Sequence, residues 1–139
     1  MKKIIIDTNI LISFITDRDL AQQKMASDIF NDASQLKYVI LCPQNVLTEF
    51  VFAMDKVYGV SSEKINEIIN DFVSMPGIEV LHDLDLGQVF FYWPKYFKDF
   101  GDAIVASVCK DNKGTSVATF DRKFKNALKK ANLEIHTFK

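Results

Sequence analysis

The sequence predicts an α/β/α sandwich around a mostly parallel central sheet of four to five strands. Short strand-like segments alternate with longer helical segments along the chain, as in domains built on a parallel sheet. The first strand, Ile4–Ile6, is a continuous β-branched run, which is typical of a strand buried on both faces. A chain of 139 residues suits one domain, and its 48% hydrophobic residues supply a core. We therefore expect a single domain over residues 1–139.

The remaining elements follow from hydrophobic periodicity and from turn and cap residues. After the first strand, the expected strands are Tyr38–Leu41, Ile78–Leu81, Ser116–Thr119 and Glu134–His136. The expected helices are Ile10–Ile15, Ala21–Ala33, Pro43–Tyr58, a helix capped at Ser61–Ser62 and ended by Met75–Gly77, Leu84–Phe97, Gly101–Lys110 and Lys123–Ala131. Pro94 should break or kink the helix in which it lies.

The charge balance, the apolar segments and the two cysteines limit the classes of protein to which this chain can belong. The chain has 17 basic and 18 acidic residues, a net charge of −1, which argues against a passive nucleic-acid-binding domain. The same balance is compatible with an enzyme whose acidic site is neutralised by bound cations. With no signal peptide and no apolar run long enough for a bilayer, we expect a cytoplasmic protein without membrane contact. Cys42 and Cys109 lie in apolar segments and are expected to be buried thiols.

Four carboxylates are placed to meet at one edge of the expected sheet. Asp7 comes directly after the first strand, and Asp121 comes shortly after the fourth. Glu49 lies near the second turn of the helix after the second strand, and Asp102 lies at the start of a later helix. Helices that follow parallel strands begin at the carboxyl edge of the sheet, where ligand sites lie. We therefore expect these four side chains to gather there.

Each aspartate also has a purely structural explanation. Asp7, Asp102 and Asp121 could be helix caps, which stabilise a helix by about 1 kcal/mol each. Glu49 differs, because three of its four neighbours at helical spacing are apolar, which predicts a partly enclosed carboxylate. These four neighbours are Asn45, Val46, Phe52 and Ala53.

Clustered carboxylates imply a cation. Two carboxylates about 4 Å apart repel by roughly 4 kcal/mol at an effective dielectric of 20, so a cluster must bind protons or metal ions. Neither His82 nor His136 falls near the expected cluster, and an all-oxygen site favours Mg²⁺ or Mn²⁺. Such ions, with helix N-termini at the same edge, suit phosphodiester hydrolysis.

The motifs around these carboxylates resemble those of the PIN-domain family, in the order of that family and over nearly the whole chain. The chain is also similar in length to the VapC-type toxins of prokaryotic toxin–antitoxin pairs. The motifs are Asp7-Thr8-Asn9 after an apolar strand, Thr48-Glu49-Phe50 in a helix, Gly101-Asp102-Ala103-Ile104-Val105-Ala106, and Thr119-Phe120-Asp121.

The resemblance implies an endoribonuclease that uses Mg²⁺ or Mn²⁺, forms a homodimer and is inhibited by a cognate antitoxin protein. Its substrate would be RNA, with tRNA and rRNA as candidates. The catalytic and metal-binding residues would be Asp7, Glu49, Asp102 and Asp121. Asn9 and Thr119 match positions that support this quartet by hydrogen bonding.

Three features of the sequence each allow two interpretations. Asp99, one turn before Asp102, is either a peripheral member of the acidic site or, as we favour, an ordinary surface residue. The aromatic residues between 90 and 97 either stack on RNA bases or, as we favour, pack in the core or against a partner. The basic stretch from Arg122 to Lys130 either guides the RNA backbone or forms the solvated face of a helix.

Two other functions are compatible with parts of this pattern. A phosphatase of the haloacid-dehalogenase type also has an aspartate after its first strand, but it carries Asp-x-Asp, whereas this chain has Asn9 in the second position. A catalytically inactive PIN-like domain that binds RNA or protein would tolerate the loss of an acid, and all four are present. Metal-dependent cleavage by purified protein would separate an enzyme from such a binding domain.

Overall fold

The computed structural model describes residues 1–138, and in this part of the chain strands and helices alternate as predicted. The four strands are β1 Lys2–Ile6, β2 Tyr38–Pro43, β3 Ile78–Leu81 and β4 Thr115–Ala118. The seven helices are α1 Thr8–Ile15, α2 Leu20–Ser34, α3 Gln44–Lys56, α4 Ser62–Val73, α5 Leu86–Tyr92, α6 Phe100–Asp111 and α7 Arg122–Lys130.

The sheet is entirely parallel, in the order β3-β2-β1-β4. The central strand β1 has Leu41 of β2 and Val117 of β4 on either side of Ile5. Ile4, Ile5 and Ile6 are all 0% exposed, although alternate residues of a strand point to opposite faces. Both faces are therefore covered, which confirms the α/β/α layering. The carboxyl ends of all four strands lie at one edge.

The prediction of a strand at Glu134–His136 was wrong. The segment makes one parallel bridge to β4, in which the Val117 N–H donates to the Glu134 carbonyl and the His136 N–H donates to the Val117 carbonyl, both at 2.9 Å. The pairing stops after this bridge, and Phe138 stacks on Phe120 with a centroid distance of 5.0 Å. Four strands therefore form the sheet within residues 1–138, the lower of the two expected numbers.

The helix expected over 84–97 is shorter than predicted, because α5 ends at Tyr92. Trp93 is extended (φ −104°, ψ 137°), as expected for a residue that precedes a proline. Pro94 thus ends the helix, and the later aromatic residues lie in a loop. Tyr92 and Phe97 point into the core, whereas Phe90 and Phe91 are exposed.

The core is rich in phenylalanine and encloses both cysteines. Phe30 packs edge-to-face on Phe72 at 5.6 Å, and Phe97 packs on Phe124 at 5.8 Å. Cys42 and Cys109 are free and buried, as predicted, and burial raises the pKa of the Cys42 thiol to about 12. Among the helices of residues 1–138, none has the length and apolarity needed to cross a membrane.

Gly77 allows the turn before β3 to pack closely against α2. Its φ is +81°, and its carbonyl accepts a hydrogen bond from the Ile40 N–H at 2.8 Å. A Cβ atom at this position would lie 2.6 Å from the carbonyl oxygen of Ala33, a buried residue of α2. Both the backbone conformation and the close approach therefore require glycine.

We expect Gly77→Ala to lower the free energy of unfolding by about 3 kcal/mol, from backbone strain together with the collision with Ala33. Gly59→Ala is the matched control, because Gly59 also has a positive φ (+64°) but no atom within 4 Å of an added Cβ. It should cost only about 1 kcal/mol. Urea denaturation of both variants measures the difference, and equal losses would contradict the proposed contact.

Candidate active site

Asp7 is the most enclosed of the four predicted carboxylates and caps the N-terminus of α1. It is 8% exposed. Its Oδ1 accepts the Thr8 N–H at 2.8 Å, and its Oδ2 accepts the Thr119 hydroxyl at 2.8 Å and the Asn9 amide at 3.0 Å. Burial raises the pKa of Asp7 to about 6, with the bonds from Thr119 and Thr8 lowering it and the charges of Glu49 and Asp121 raising it further.

Hydrogen bonds of Asn9 and Thr119 connect the segment that follows β1 to the segment that follows β4. The Asn9 amide nitrogen also donates to Thr119 Oγ1 at 3.1 Å, and its carbonyl oxygen accepts the Phe120 N–H at 3.1 Å. Thr119 Oγ1 in turn accepts the Asp121 N–H at 3.1 Å. These two side chains therefore make the hydrogen bonds expected of them around Asp7, while a supporting role in catalysis stays a prediction.

Asp121 caps α7 at the same edge of the sheet. Its Oδ1 accepts the N–H groups of Lys123 at 2.9 Å and Phe124 at 3.3 Å. The residue is exposed to solvent. Asp7 and Asp121 thus both serve as helix caps, and both also belong to one group of carboxylates, because the charge of Asp121 raises the pKa of Asp7. Capping therefore gives both residues a structural role, and their role in a metal site stays a prediction.

Glu49 is exposed as a residue, but its carboxylate is partly enclosed, as predicted. Its Oε2 accepts the Thr8 hydroxyl at 2.6 Å, and its Oε1 occupies the space that a side chain on Gly101 would need. Partial withdrawal from water raises the pKa of the Glu49 carboxyl, with the bond from Thr8 opposing and the charge of Asp99 adding to this. The apolar neighbours of Glu49 in α3 did not enclose it, because it points toward α1 and α6.

Asp102 lies in the first turn of α6 and is not its cap. That position belongs to Asp99, whose Oδ1 accepts the Asp102 N–H at 3.0 Å. Burial raises the pKa of Asp102 to about 8, and the charges of Asp7, Asp99, Asp121 and Glu49 add to the shift. All four predicted carboxylates are thus close enough to interact.

Asp99 is more than an ordinary surface residue. It caps α6, and its charge raises the pKa values of both Glu49 and Asp102. The preferred interpretation of Asp99 from the sequence was therefore wrong. Its position one helical turn before Asp102 is the signal that places it at the edge of the cluster.

Two further residues shape the site without having been predicted to do so. Thr8 binds Glu49 across 41 residues, a pairing that no sequence pattern indicates. Gly101 allows the Glu49 carboxylate to approach the first turn of α6. A glycine inside a helix is a recognisable signal, because it weakens the helix and often marks a close approach.

The donor set fits a hard divalent cation better than any other cofactor. It consists of carboxylates, the ligands that Mg²⁺ and Mn²⁺ prefer, and burial together with the neighbouring negative charges raises the pKa values of Asp7 and Asp102, a shift that a bound cation would oppose. In the arrangement described for residues 1–138, no three aspartate, glutamate, histidine or cysteine side chains lie close enough to hold one ion.

Two solved structures share this fold. VapBC2 from Rickettsia felis, bound to a DNA fragment from its promoter, is similar with a TM-score of 0.67 and 17% identity, over 99% of each chain. The PIN domain endonuclease Utp24 is similar with a TM-score of 0.53 and 17% identity, over 92% of this chain and 77% of that one. No curated protein matches the sequence. At such identities the two structures establish the fold alone. Residues 4–130 match the PIN domain family, and the chain therefore belongs to that family.

Proposed function

We propose that this protein is an endoribonuclease that depends on Mg²⁺ or Mn²⁺ and has Asp7, Glu49, Asp102 and Asp121 as its catalytic, metal-binding residues. PIN domains are generally nucleases. The observation that carries the proposal is the convergence of four carboxylates from four different parts of the chain. Their interaction contributes to the pKa of about 8 at Asp102.

The side chains around the cluster suit this chemistry. Mg²⁺ or Mn²⁺, when bound, supplies Lewis acidity and charge neutralisation for phosphodiester hydrolysis. Asp7 is held by three hydrogen bonds, which keep its carboxylate in one orientation. Glu49 and Asp121 are exposed, so an RNA strand can reach the cluster from solvent. Asp102 must release its proton before it binds a cation.

The alternatives receive less support. A phosphatase of the haloacid-dehalogenase type needs a second acid two residues after the first, but Asn9 has an amide there, which donates to Asp7 and Thr119. A binding domain without catalysis would have no need for four interacting carboxylates. Cleavage of RNA by wild-type and substituted protein separates these functions.

We propose that the nuclease is the toxin of a toxin–antitoxin pair, works in the cytoplasm on tRNA or rRNA, and is inhibited by a cognate antitoxin protein. The support is the similarity of the fold to VapBC2 over 99% of each chain. Inhibition of cleavage by the protein encoded beside it would test this role.

We propose further that the protein is a homodimer. Its support is an exposed aromatic surface, which we define as Phe90, Phe91, Trp93, Tyr96 and Phe100. Within it, Phe91 stacks on Tyr96 at 5.5 Å, and Trp93 packs edge-to-face on Phe100 at 5.1 Å. Such a group of exposed rings is typical of a surface that a protein partner covers.

Replacing Asp7 tests the catalytic site. We expect Asp7→Asn to slow Mn²⁺-dependent cleavage of labelled tRNA by roughly 100-fold or more, because the amide lacks the charge of a metal ligand. Asp71→Asn is the control, since Asp71 is an exposed carboxylate of α4. It should cleave like wild type. Equal cleavage by Asp7→Asn and wild type would contradict the assignment.

The pKa of Asp102 predicts how stability depends on pH without metal. The folded protein holds this proton up to a pKa of about 8, whereas an unfolded aspartate releases it near a pKa of about 3.9. Between these values the folded state binds more protons, so the free energy of unfolding falls as pH rises. In EDTA, the Tm of wild type should therefore fall from pH 6 to pH 8.5 more than that of Asp102→Asn. Mg²⁺ should remove the difference, and parallel curves would contradict the prediction.

The proposed dimer predicts a change of mass on substitution. In size-exclusion chromatography with light scattering, wild type should have twice the 15.9 kDa mass of the chain. Phe91→Ser, which changes a residue that is 64% exposed, should shift the protein toward the monomer. Leu20→Ser, at an exposed position of α2, should stay dimeric. A monomeric wild type would disprove the proposal.

A further inference from the structure

The cations of α7 have no acidic partners within the described part of the chain. The four ion pairs found in residues 1–138 use lysines of other segments, at positions 24, 37, 56 and 64. The positive charge of α7 is therefore available to an anion from outside the domain. The cations of α7 are Arg122, Lys123, Lys125, Lys129 and Lys130.

Two of these lysines line a groove of about 730 Å³ between α7 and the segment that follows it. Lys125 and Lys129 lie on the helix, and Asn132, Thr137 and Phe138 contribute two polar side chains and a ring from the segment. Glu134 is the one carboxylate among the lining residues. The groove thus combines two lysine side chains with an aromatic ring and hydrogen-bonding groups.

The ring in this groove is connected to the acidic cluster. Phe138 stacks on Phe120 with centroids 5.0 Å apart, and the Lys125 ammonium lies 5.9 Å from the centroid of Phe138. Phe120 lies between Thr119 and Asp121 in the chain, and its N–H donates to Asn9. Phe120 therefore links the ring of Phe138 to the acidic cluster, through its own ring on one side and its backbone on the other.

Helix geometry aligns the lysines with the cluster. Lys125 and Lys129 are four residues apart and lie on one face of α7, and Asp121, the cap of this helix, precedes Lys125 by four residues. With a rise of about 1.5 Å per residue, the two lysines follow Asp121 by about 6 and 12 Å along the axis. A strand with its scissile phosphate at the acidic cluster can therefore continue along this face.

We propose that this groove binds the single-stranded RNA substrate beside the scissile phosphate, with backbone phosphates on Lys125 and Lys129 and one base against Phe138. This inference rests on the proposed nuclease function and identifies how its substrate is held. Lysines contact phosphates without reading sequence, and a ring stacks on any unpaired base. The groove should therefore favour single strands and be tolerant of sequence.

The test is binding of a fluorescein-labelled, ten-nucleotide single-stranded RNA, measured by fluorescence anisotropy in EDTA, where metal-dependent cleavage is absent. Lys125→Ala with Lys129→Ala should weaken binding roughly tenfold and reduce the slope of log K against log salt by about 1.4. Lys110→Ala with Lys113→Ala removes the same charge from exposed positions before β4, at the opposite edge of the sheet, and should leave the Kd near that of wild type.

The ring is tested separately. Phe138→Ala should weaken binding roughly fivefold or more, and Phe138→Tyr, which keeps the ring, should restore it. The Tm of each variant checks that the domain stays folded. A melting temperature equal to that of wild type assigns the loss to the groove.

Several outcomes would overturn the inference. They are equal binding by the groove and control variants, binding of a polyglutamate peptide as tight as that of the RNA, and no binding of the RNA by wild type. Because the assay needs no cleavage, groove-dependent binding by a protein that never cleaves RNA would refute the nuclease and support the groove. Metal-dependent cleavage with the same kcat/KM in both double variants would support the nuclease and refute the groove.

Discussion

The structure of this site depends on hydrogen bonds that hold the Asp7 carboxylate where its charge is disfavoured. The register of the sheet makes them possible: Ile6 pairs with Ala118, so Asp7 and Thr119 leave adjacent strands side by side. The Asp7 N–H donates to the Ala118 carbonyl at 3.0 Å, and the Thr119 hydroxyl donates back to the Asp7 carboxylate. A shift of one residue between β1 and β4 would turn these side chains to opposite faces.

These bonds oppose the burial and the neighbouring charges that raise the pKa of Asp7. At Asp102 no hydrogen bond to the carboxylate is among the causes of the shift, and its pKa rises further, to about 8. The cluster therefore combines one carboxylate that is held by donors with another that retains its proton near neutral pH. A divalent cation stabilises the ionised form of both, which connects the fold to the proposed chemistry.

The sequence predicted the parts that follow from topology. The Ile4–Ile6 run indicated the central strand, and the positions of Asp7 and Asp121 after strands indicated their meeting at one edge. The details that depend on side-chain direction were not predictable. Asp99 rather than Asp102 caps α6, and Glu49 turns toward Thr8 and Gly101 instead of being enclosed by its own helix. The segment Glu134–His136 has strand-like residues, but it makes only one bridge before the aromatic contact of Phe138.

The most direct test of the central claim is a carboxyl ¹³C NMR titration of Asp102, in EDTA and then in saturating Mg²⁺. Burial of Asp102 together with the charges of the other carboxylates predicts a pKa of about 8 in EDTA and a much lower pKa in Mg²⁺, because the cation favours the ionised form. A pKa in EDTA near the ordinary aspartate value of about 3.9, unchanged by Mg²⁺, would contradict the account. It would mean that the four carboxylates neither interact strongly nor bind a cation together.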